Sequence, residues 1–448
     1  MTDVKQKYEY FIHDLSLSSR DGSRSIRLDG VFDELTLVES VFNNTIMGSI
    51  RISDTNGIYE ALPIQGDEYI HIDFSKSKDI LTDESRIQYT GYIYKVADKQ
   101  FTDDKLNIQS YTLFFTSIEN MLNRKYKVSN NIVGTASDIC NTIFSNEIVQ
   151  NKLELAPLTT FYPNTMKQLE VEDCLDTDSI TFPNLSPFKA INHLAGSAYA
   201  SSPRGVYNTL YFFFEARDSF KFQSLEKFMW DAEETVEEFF FRIPSTSDDD
   251  ISYYSMGTIT SYNEDTVFDI LNASHGGLYG STHVTFDPLT KRSYHNKFDH
   301  DNYFSGLIHV DNYKNVKNDF FESGMERSKI TTGTTSLGSK ESTYISGKED
   351  TYYTMENSVY QLKASRMRQL MGGKVVSFQV PGNPHRKIGE VVDLKLPSLV
   401  KDGQKQKAGE LDKYHSGRHL IVEIKHMLTV GSYSMEITAL KDSVRGSF

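Results

Sequence analysis

The chain has 448 residues, of which 38% are hydrophobic, 24% charged and 12% aromatic, and its formal net charge is −14. That length exceeds one ordinary core and predicts two to four domains at roughly 100–200 residues each. The composition excludes a disordered chain. The acidic balance argues against gripping nucleic acid or an anionic membrane through a basic face.

In chain order, the opening "MTDVKQKYEY" is polar and has no apolar signal core. The longest apolar run, "LYFFFEA", is too short to span a bilayer. The chain is therefore expected to be made in a cytosol, without a visible export signal or membrane insertion. From there to about Ser117 the apolar residues alternate. Ile50 and Ile52 share one face, as do Ile70, Ile72 and Phe74, then Tyr92, Tyr94 and Val96, then Tyr111, Leu113 and Phe115. Period-two alternation predicts antiparallel strands with one buried face.

The period then changes. Ala136, Ile139, Cys140, Ile143 and Phe144 fall at helical spacing, with Thr135 and Asp138 placed as a capping box. Ser186 and Pro187 open a second helix, whose stripe is Phe188, Ile191, Leu194, Ala195 and Ala198. Strands resume at "TLYFFFEARDSFKFQS", a hairpin about Arg217-Asp218-Ser219. Acidic residues follow at Asp231, Glu233, Glu234, Glu237, Glu238 and Asp248 to Asp250, and read as a solvated face. The Ser-, Thr- and Gly-rich run from Ile330 to Lys348 reads as an exposed loop or hairpin. A third helix, "NSVYQLKASRMRQLMGG", carries Leu362, Met367 and Leu370 and stops at Gly372-Gly373. The remainder is β again.

The β segments near the two ends echo each other. "IMGSIRISD" from Ile46 resembles "LYGSTHVTFD" from Leu278, and "PIQGDEYIHIDF" resembles "HRKIGEVVDLKLP". Each second member leads to a strand opening after Gly91 or Gly417, then to "SYTLFFTS" or "SYSMEITAL". The order predicts two copies of one small antiparallel barrel. Aligning Gly66 with Gly389 shifts the apolar phase by one residue, which would flip the buried face unless something absorbs it.

Chemistry is sparse. His415 and His419 stand four apart in a turn-like setting with no carboxylate between them, a poor zinc pair, and read as surface histidines. His71 and His283 lie on strands, facing solvent or an interface. Cys140 and Cys174 form no C-x-x-C pair, and Cys140 reads as a small buried hydrophobe. No nucleophile elbow, phosphate loop or dinucleotide fingerprint occurs. No catalytic, cofactor-binding or metal-ligating residue is singled out, and the interface residues are left open. A receptor- or carbohydrate-binding protein and a cell-wall hydrolase stand as rivals to a structural role.

Five stretches, in order, carry a resemblance: "SDTNGIYEALPIQGDEYIHIDF", "YTLFFTSIENMLNRKYKVS", "ITFPNLSPFKAINHLAGSAYA", "LYFFFEARDSFKFQSLEKF" and "VPGNPHRKIGEVVDLKLP". Together they resemble the baseplate central hub proteins of contractile-tailed phages of the T-even type. The resemblance implies a mainly β chain, with two tube-like antiparallel β-barrel domains and a mixed α+β insertion. The expected bounds are a first barrel at 1–117, a mixed domain at 118–206 and the start of the second barrel at 207–290. A loop-rich insertion at 291–356 follows, then a helix with the rest of the second barrel at 357–448. The resemblance further implies a non-enzymatic homotrimer without cofactor in the virion tail baseplate, assembled in the host cytoplasm. Its partners would be the central spike, the tube-initiating and tube proteins and the baseplate wedges, with DNA passing through the lumen. A hub of a related injection machine is the nearest alternative. The second helix would then buttress a barrel and set a subunit contact.

Overall fold

A computed structural model describes residues 8–76, 86–103, 108–153, 167–175, 177–202, 207–231, 237–241, 257–267, 269–287, 291–304, 306–311, 328–334, 352–398, 411–412 and 415–443. The fold is mainly β, as the alternation predicts. One 14-stranded sheet holds both ends of the chain.

The first lobe of that sheet is β1 (Phe11–Ser18), β2 (Ser25–Arg27), β3 (Phe32–Ser40), β4 (Met47–Asp54), β5 (Tyr69–Ser75), β6 (Arg86–Asp103) and β7 (Ile108–Thr116). Their spatial order is β3-β4-β7-β6-β5-β1-β2. A mixed unit follows. It contains α1 (Ile118–Lys125), β8 (Asn131–Thr135), α2 (Ala136–Phe144), β9 (Gln168–Val171), β10 (Thr177–Thr181), α3 (Pro187–Ser197), β11 (Ala200–Ser201), β12 (Tyr207–Asn208), β13 (Tyr211–Glu215), β14 (Ser219–Ser224) and α4 (Leu225–Asp231). The chain then returns to the large sheet with β15 (Glu237–Phe241), β16 (Thr258–Ile259) and β17 (Ser261–Val267). It leaves again for a three-stranded sheet of β18 (Gly280–Asp287), β19 (Arg292–Asp299) and β20 (Ile330–Thr334), and for the long helix α5 (Tyr352–Met371). It closes with β21 (Lys374–Pro381), β22 (Val391–Lys395), β23 (Gly417–Thr429) and β24 (Ser432–Lys441).

The second lobe repeats the first in both chain order and spatial order. Its path, β17-β21-β24-β23-β22-β15-β16, matches β3-β4-β7-β6-β5-β1-β2 strand for strand. Local details match too. Gly66 and Gly389 both have positive φ, 98° and 89°, a conformation that favours glycine. The Glu68 carbonyl accepts from Ile93 N at 2.8 Å, and the Glu390 carbonyl accepts from Ile421 N at 2.8 Å. A bulge follows at once in each case, between Ile93 and Lys95 and between Ile421 and Glu423. The phase shift seen in the sequence is absorbed outside the strand: Asp67 is an extra residue between the glycine and the glutamate. The ladders differ at β15, which pairs in parallel with both β22 and β16, whereas β1 pairs antiparallel with both β5 and β2.

Several expectations need correction. The partner of β4 in the repeat is β21, not the 278–287 segment, whose strand β18 sits in the separate three-stranded sheet. The sequence pattern misled because β18 carries similar alternation without belonging to the duplicated core. Gly417 is not the match of Gly91; the bulges align Gly91 with His419. The strands expected to open the second barrel at 207–224 stay outside it: β12 pairs with β11, β13 with β14 and β14 with β9, and Tyr211, Phe213, Phe220 and Phe222 fill the mixed unit's core. Ile330–Thr334 is a strand paired in parallel with β18 rather than a loop, and the rest of that run to Lys348 lies outside the described residues. The two barrels are not separate cylinders but two lobes of one sheet, because β3 pairs with β23. No strand-to-strand pair closes either lobe among the described residues. In the second lobe, β16 simply runs on through Thr260 into β17.

The core follows this layout. One apolar cluster runs through both lobes, from Leu15 to Leu440. A second cluster, with Cys140, Phe144, Phe188, Ile191, Phe213 and Phe220, belongs to the mixed unit. The capping box at Thr135 and Asp138 is present, and Pro187 occupies the first turn of α3 behind Ser186.

Alanine at the two matching glycines separates strain from crowding. Gly66→Ala is expected to cost about 1–2 kcal/mol, from backbone strain alone, since its Cβ meets nothing closer than 3.9 Å. Gly389→Ala is expected to cost more, because its Cβ would lie 2.7 Å from the Phe228 ring. Urea midpoints of the two variants check the order.

Candidate functional site: the seam between two sheet lobes

The lobes meet where β3 pairs antiparallel with the far half of β23, from Glu423↔Ser40 to Thr429↔Glu34. At this seam the alternation that buries a face has placed polar groups inside. Glu39 and His426 are both buried and are diagonal neighbours across the two strands, Glu39 standing opposite Ile424 and His426 opposite Leu37. His426 Nε2 lies 3.1 Å from Glu39 Oε1, and His426 Nδ1 lies 2.8 Å from the Tyr433 hydroxyl. Arg217, from the β13–β14 turn, reaches in from the mixed unit with Nε 2.9 Å from the same Glu39 oxygen. That contact is a charge pair rather than an aligned hydrogen bond, since Arg217 Nε has no hydrogen-bond partner. Its other guanidinium nitrogens donate to the carbonyls of Pro384 and Arg386.

The protonation states follow from this geometry. Burial alone would push the Glu39 carboxyl up, but the Arg217 charge and the His426 hydrogen bond outweigh it and hold the group below its usual value. Glu39 is therefore a carboxylate and can only accept. Burial pushes His426 down, so its ring is neutral, with Nε2–H donating to Glu39 and Nδ1 accepting from the Tyr433 O–H. Around this group Tyr433 of the second lobe meets Tyr10 and Phe74 of the first edge-on, with ring centroids 6.4 and 5.3 Å away.

A second carboxylate ties the mixed unit to the start of β4. Glu215 Oε2 accepts from Ile46 N at 2.8 Å and from the Ser117 hydroxyl. Glu215 Oε1 accepts from Lys167 Nζ at 2.7 Å. Burial nevertheless leaves its proton affinity raised against the pull of Lys167. A third buried group joins α5 to the end of β24. Arg366 donates to Asp442 Oδ2 at 2.7 Å, and His309 Nδ1 lies 2.9 Å from the same oxygen. Burial opposes ionisation of Asp442, yet His309 and Arg366 hold it well below the usual carboxylate range.

The residues weighed from sequence fall elsewhere. His415 sits in a turn with its ring 2.7 Å from Asp412, while His419 is buried in β23 and is not a surface histidine. β23 opens at Gly417, and its alternation puts His419 on the buried side. His71 and His283 are bonded to Thr90 and Thr331, and burial lowers both. Cys140 is fully buried as a small hydrophobe. Glu237 and Glu238 contact Arg386 and Lys395, while Glu233, Glu234 and Asp248 to Asp250 lie outside the described residues. The apolar stripe of α3 packs inside the mixed unit rather than on a lobe; its reach to the first lobe is Asn192 bonded to Asn44. Among the described residues, no group of three or more His, Cys, Asp or Glu converges as a metal site. Glu39, Arg217 and His426 carry no sequence signal, because Glu39 and His426 come from strands 387 positions apart and Arg217 from a turn between them.

No protein-family model matches the sequence, and no curated protein matches it. Solved structures do share its fold. The tail protein from Neisseria meningitidis MC58 aligns at 11% identity over 98% of both chains, with a TM-score of 0.50. The 43 kDa tail protein of prophage MuSo2 from Shewanella oneidensis aligns at 9% identity over 96% of this chain and 98% of that one, with a TM-score of 0.51. The chain therefore shares the fold of these two tail proteins.

Arg217→Met leaves Glu39 buried without its cation and is expected to cost about 3–5 kcal/mol, most of it recovered in Arg217→Met/Glu39→Leu. Denaturant unfolding of the two variants measures this. The pH response has two windows. Burial holds His426, and His419 more strongly, below the ordinary imidazole value, so the unfolded chain binds protons first. Stability should fall as pH drops below about 6.5, by up to about 1.4 kcal/mol per unit per histidine. The depressed Glu39 and Asp442 add losses only below about pH 4. Thermal midpoints between pH 7 and 5 should show a shallower slope in His419→Leu.

Proposed function

We propose that this chain is the structural hub of a contractile phage tail baseplate. In this reading three copies form a ring of six lobes, between a threefold central spike on one side and a sixfold tail tube on the other. The observation that supports it is the duplicated lobe, within a fold shared with phage tail proteins. Two matching lobes per chain turn threefold symmetry into six near-equivalent units, which is what an adaptor between the two symmetries needs. The lobes are the tube-like domains, and the mixed unit and the three-stranded sheet lie outside them. The spike, the tube-initiating and tube proteins and the wedges are its partners in the virion tail, and the chain performs no reaction. DNA leaves through the lumen, whose lining is acidic or polar, in keeping with a net charge of −14. A basic lining would brake the phosphates.

Light scattering of the purified chain should give a mass near three times 51.1 kDa, and particle images a six-lobed ring. A monomer at high concentration overturns the reading. A continuous Lys/Arg stripe along the lumen overturns the account of DNA passage.

A further inference from the structure

The lobes are built alike, yet their corresponding edges are used differently. The far half of β23 is covered by β3. The matching far half of β6, from Tyr94 onward, pairs only with β7, and among the described residues its other edge is bare. The strand matching β3 is β17, and it pairs only with β21. Each lobe therefore keeps one half of the seam unused.

The residues record the missing cover. The bulges align Tyr94 with Val422 and Phe101 with Leu428. Val422 and Leu428 are 1% and 0% exposed, whereas Tyr94 and Phe101 are 44% and 72% exposed. An open strand edge is a template on which a further strand can pair, and exposed aromatics along it give that strand apolar surface to bury. The charges match as well. Lys95 and Lys99 are exposed on β6, and β17 carries the exposed Asp265 beside Glu264, whose own cation is Lys374 at 2.6 Å. Both strands hold an extra residue at the same level, between Ala97 and Gln100 and between Glu264 and Thr266, so the two bulges would lie opposite each other.

We propose that β6 of one copy pairs antiparallel with β17 of a second copy, in the register of the internal β23–β3 seam. Leu428↔Leu35 then becomes Phe101 opposite Tyr262, and Met427↔Thr36 becomes Gln100 opposite Asn263. Lys99 meets the Glu264–Asp265 pair. The contact is head-to-tail, so each copy offers β6 to one neighbour and β17 to the other, and it closes into a ring when the lobe-to-lobe rotation divides a full turn. The seam rests on the reading of this chain as a self-assembling hub and names the surface that does the assembling.

The test uses the full chain with Gln100→Cys and Asn263→Cys, oxidised with copper-phenanthroline; the native Cys140 and Cys174 are buried. The double variant should form covalent multimers up to the assembled size, while each single variant should not. Phe101→Asp, at an exposed position, should leave the thermal midpoint unchanged and raise the half-assembly concentration at least tenfold. An assembled chain that neither cross-links through 100 and 263 nor weakens with Phe101→Asp overturns the seam and leaves the hub reading standing. A wild-type chain that stays monomeric overturns both.

Discussion

A buried carboxylate, Glu39, fixes how the two lobes meet. Taking a charge out of water is tolerable only when opposite charge and hydrogen bonds replace the lost hydration. Arg217 and His426 supply them from the mixed unit and the second lobe respectively. Three parts of the chain thus converge on one carboxylate oxygen. Sliding β3 along β23 by one residue would move Glu39 to the other face and strand it, so the register is defended by electrostatics as well as by apolar packing. Glu215 and Asp442 repeat the device at the other junctions, each ringed by donors from different elements. The apolar residues bury surface everywhere, but these carboxylates decide which surfaces meet.

Much of this was legible in the sequence and some was not, for physical reasons. Strands betray themselves by period two and helices by period 3.6, so the alternation through β4 to β7 and the stripe of α2 could be read directly. The turn signature around Gly66 and Gly389 was equally plain, because glycine next to an acidic residue ahead of an alternating strand suits a turn position with positive φ. What could not be read was pairing. Alternation in β18 looks the same as in β21, and only the ladder says which of them joins the duplicated sheet. For the same reason "TLYFFFEARDSFKFQS" gave its hairpin but not its partner β9. The seam cluster was invisible because His426 and Glu39 meet only after the sheet closes a gap of 387 positions.

The absence of a converging reactive group among the described residues fits a molecule whose interior polar groups serve junctions. Each buried ion or histidine has a structural partner that its neighbours hold in place. The helix α3, conspicuous in the sequence for its clean start, buries its stripe in the mixed unit and meets α5 through Lys363, which donates to the Ala195 and Gly196 carbonyls. It carries the mixed unit as a solid wedge beside the lobes, and Arg217 reaches the seam from the tip of that wedge.

One hairpin differs between the lobes more than any other. Where β3 turns into β4 within residues 41–46, the second lobe leaves β17 at Val267 and re-enters at β21 from Lys374 in the matching ladder position, and the described residues between them hold the three-stranded sheet and α5. A loop tip is where a folded scaffold accepts foreign length at least cost to its ladders, because the two flanking strands stay side by side. The second lobe is therefore a socket. Everything grafted between β17 and β21 can be exchanged or enlarged from one lineage to the next while the strands that clasp it keep their geometry.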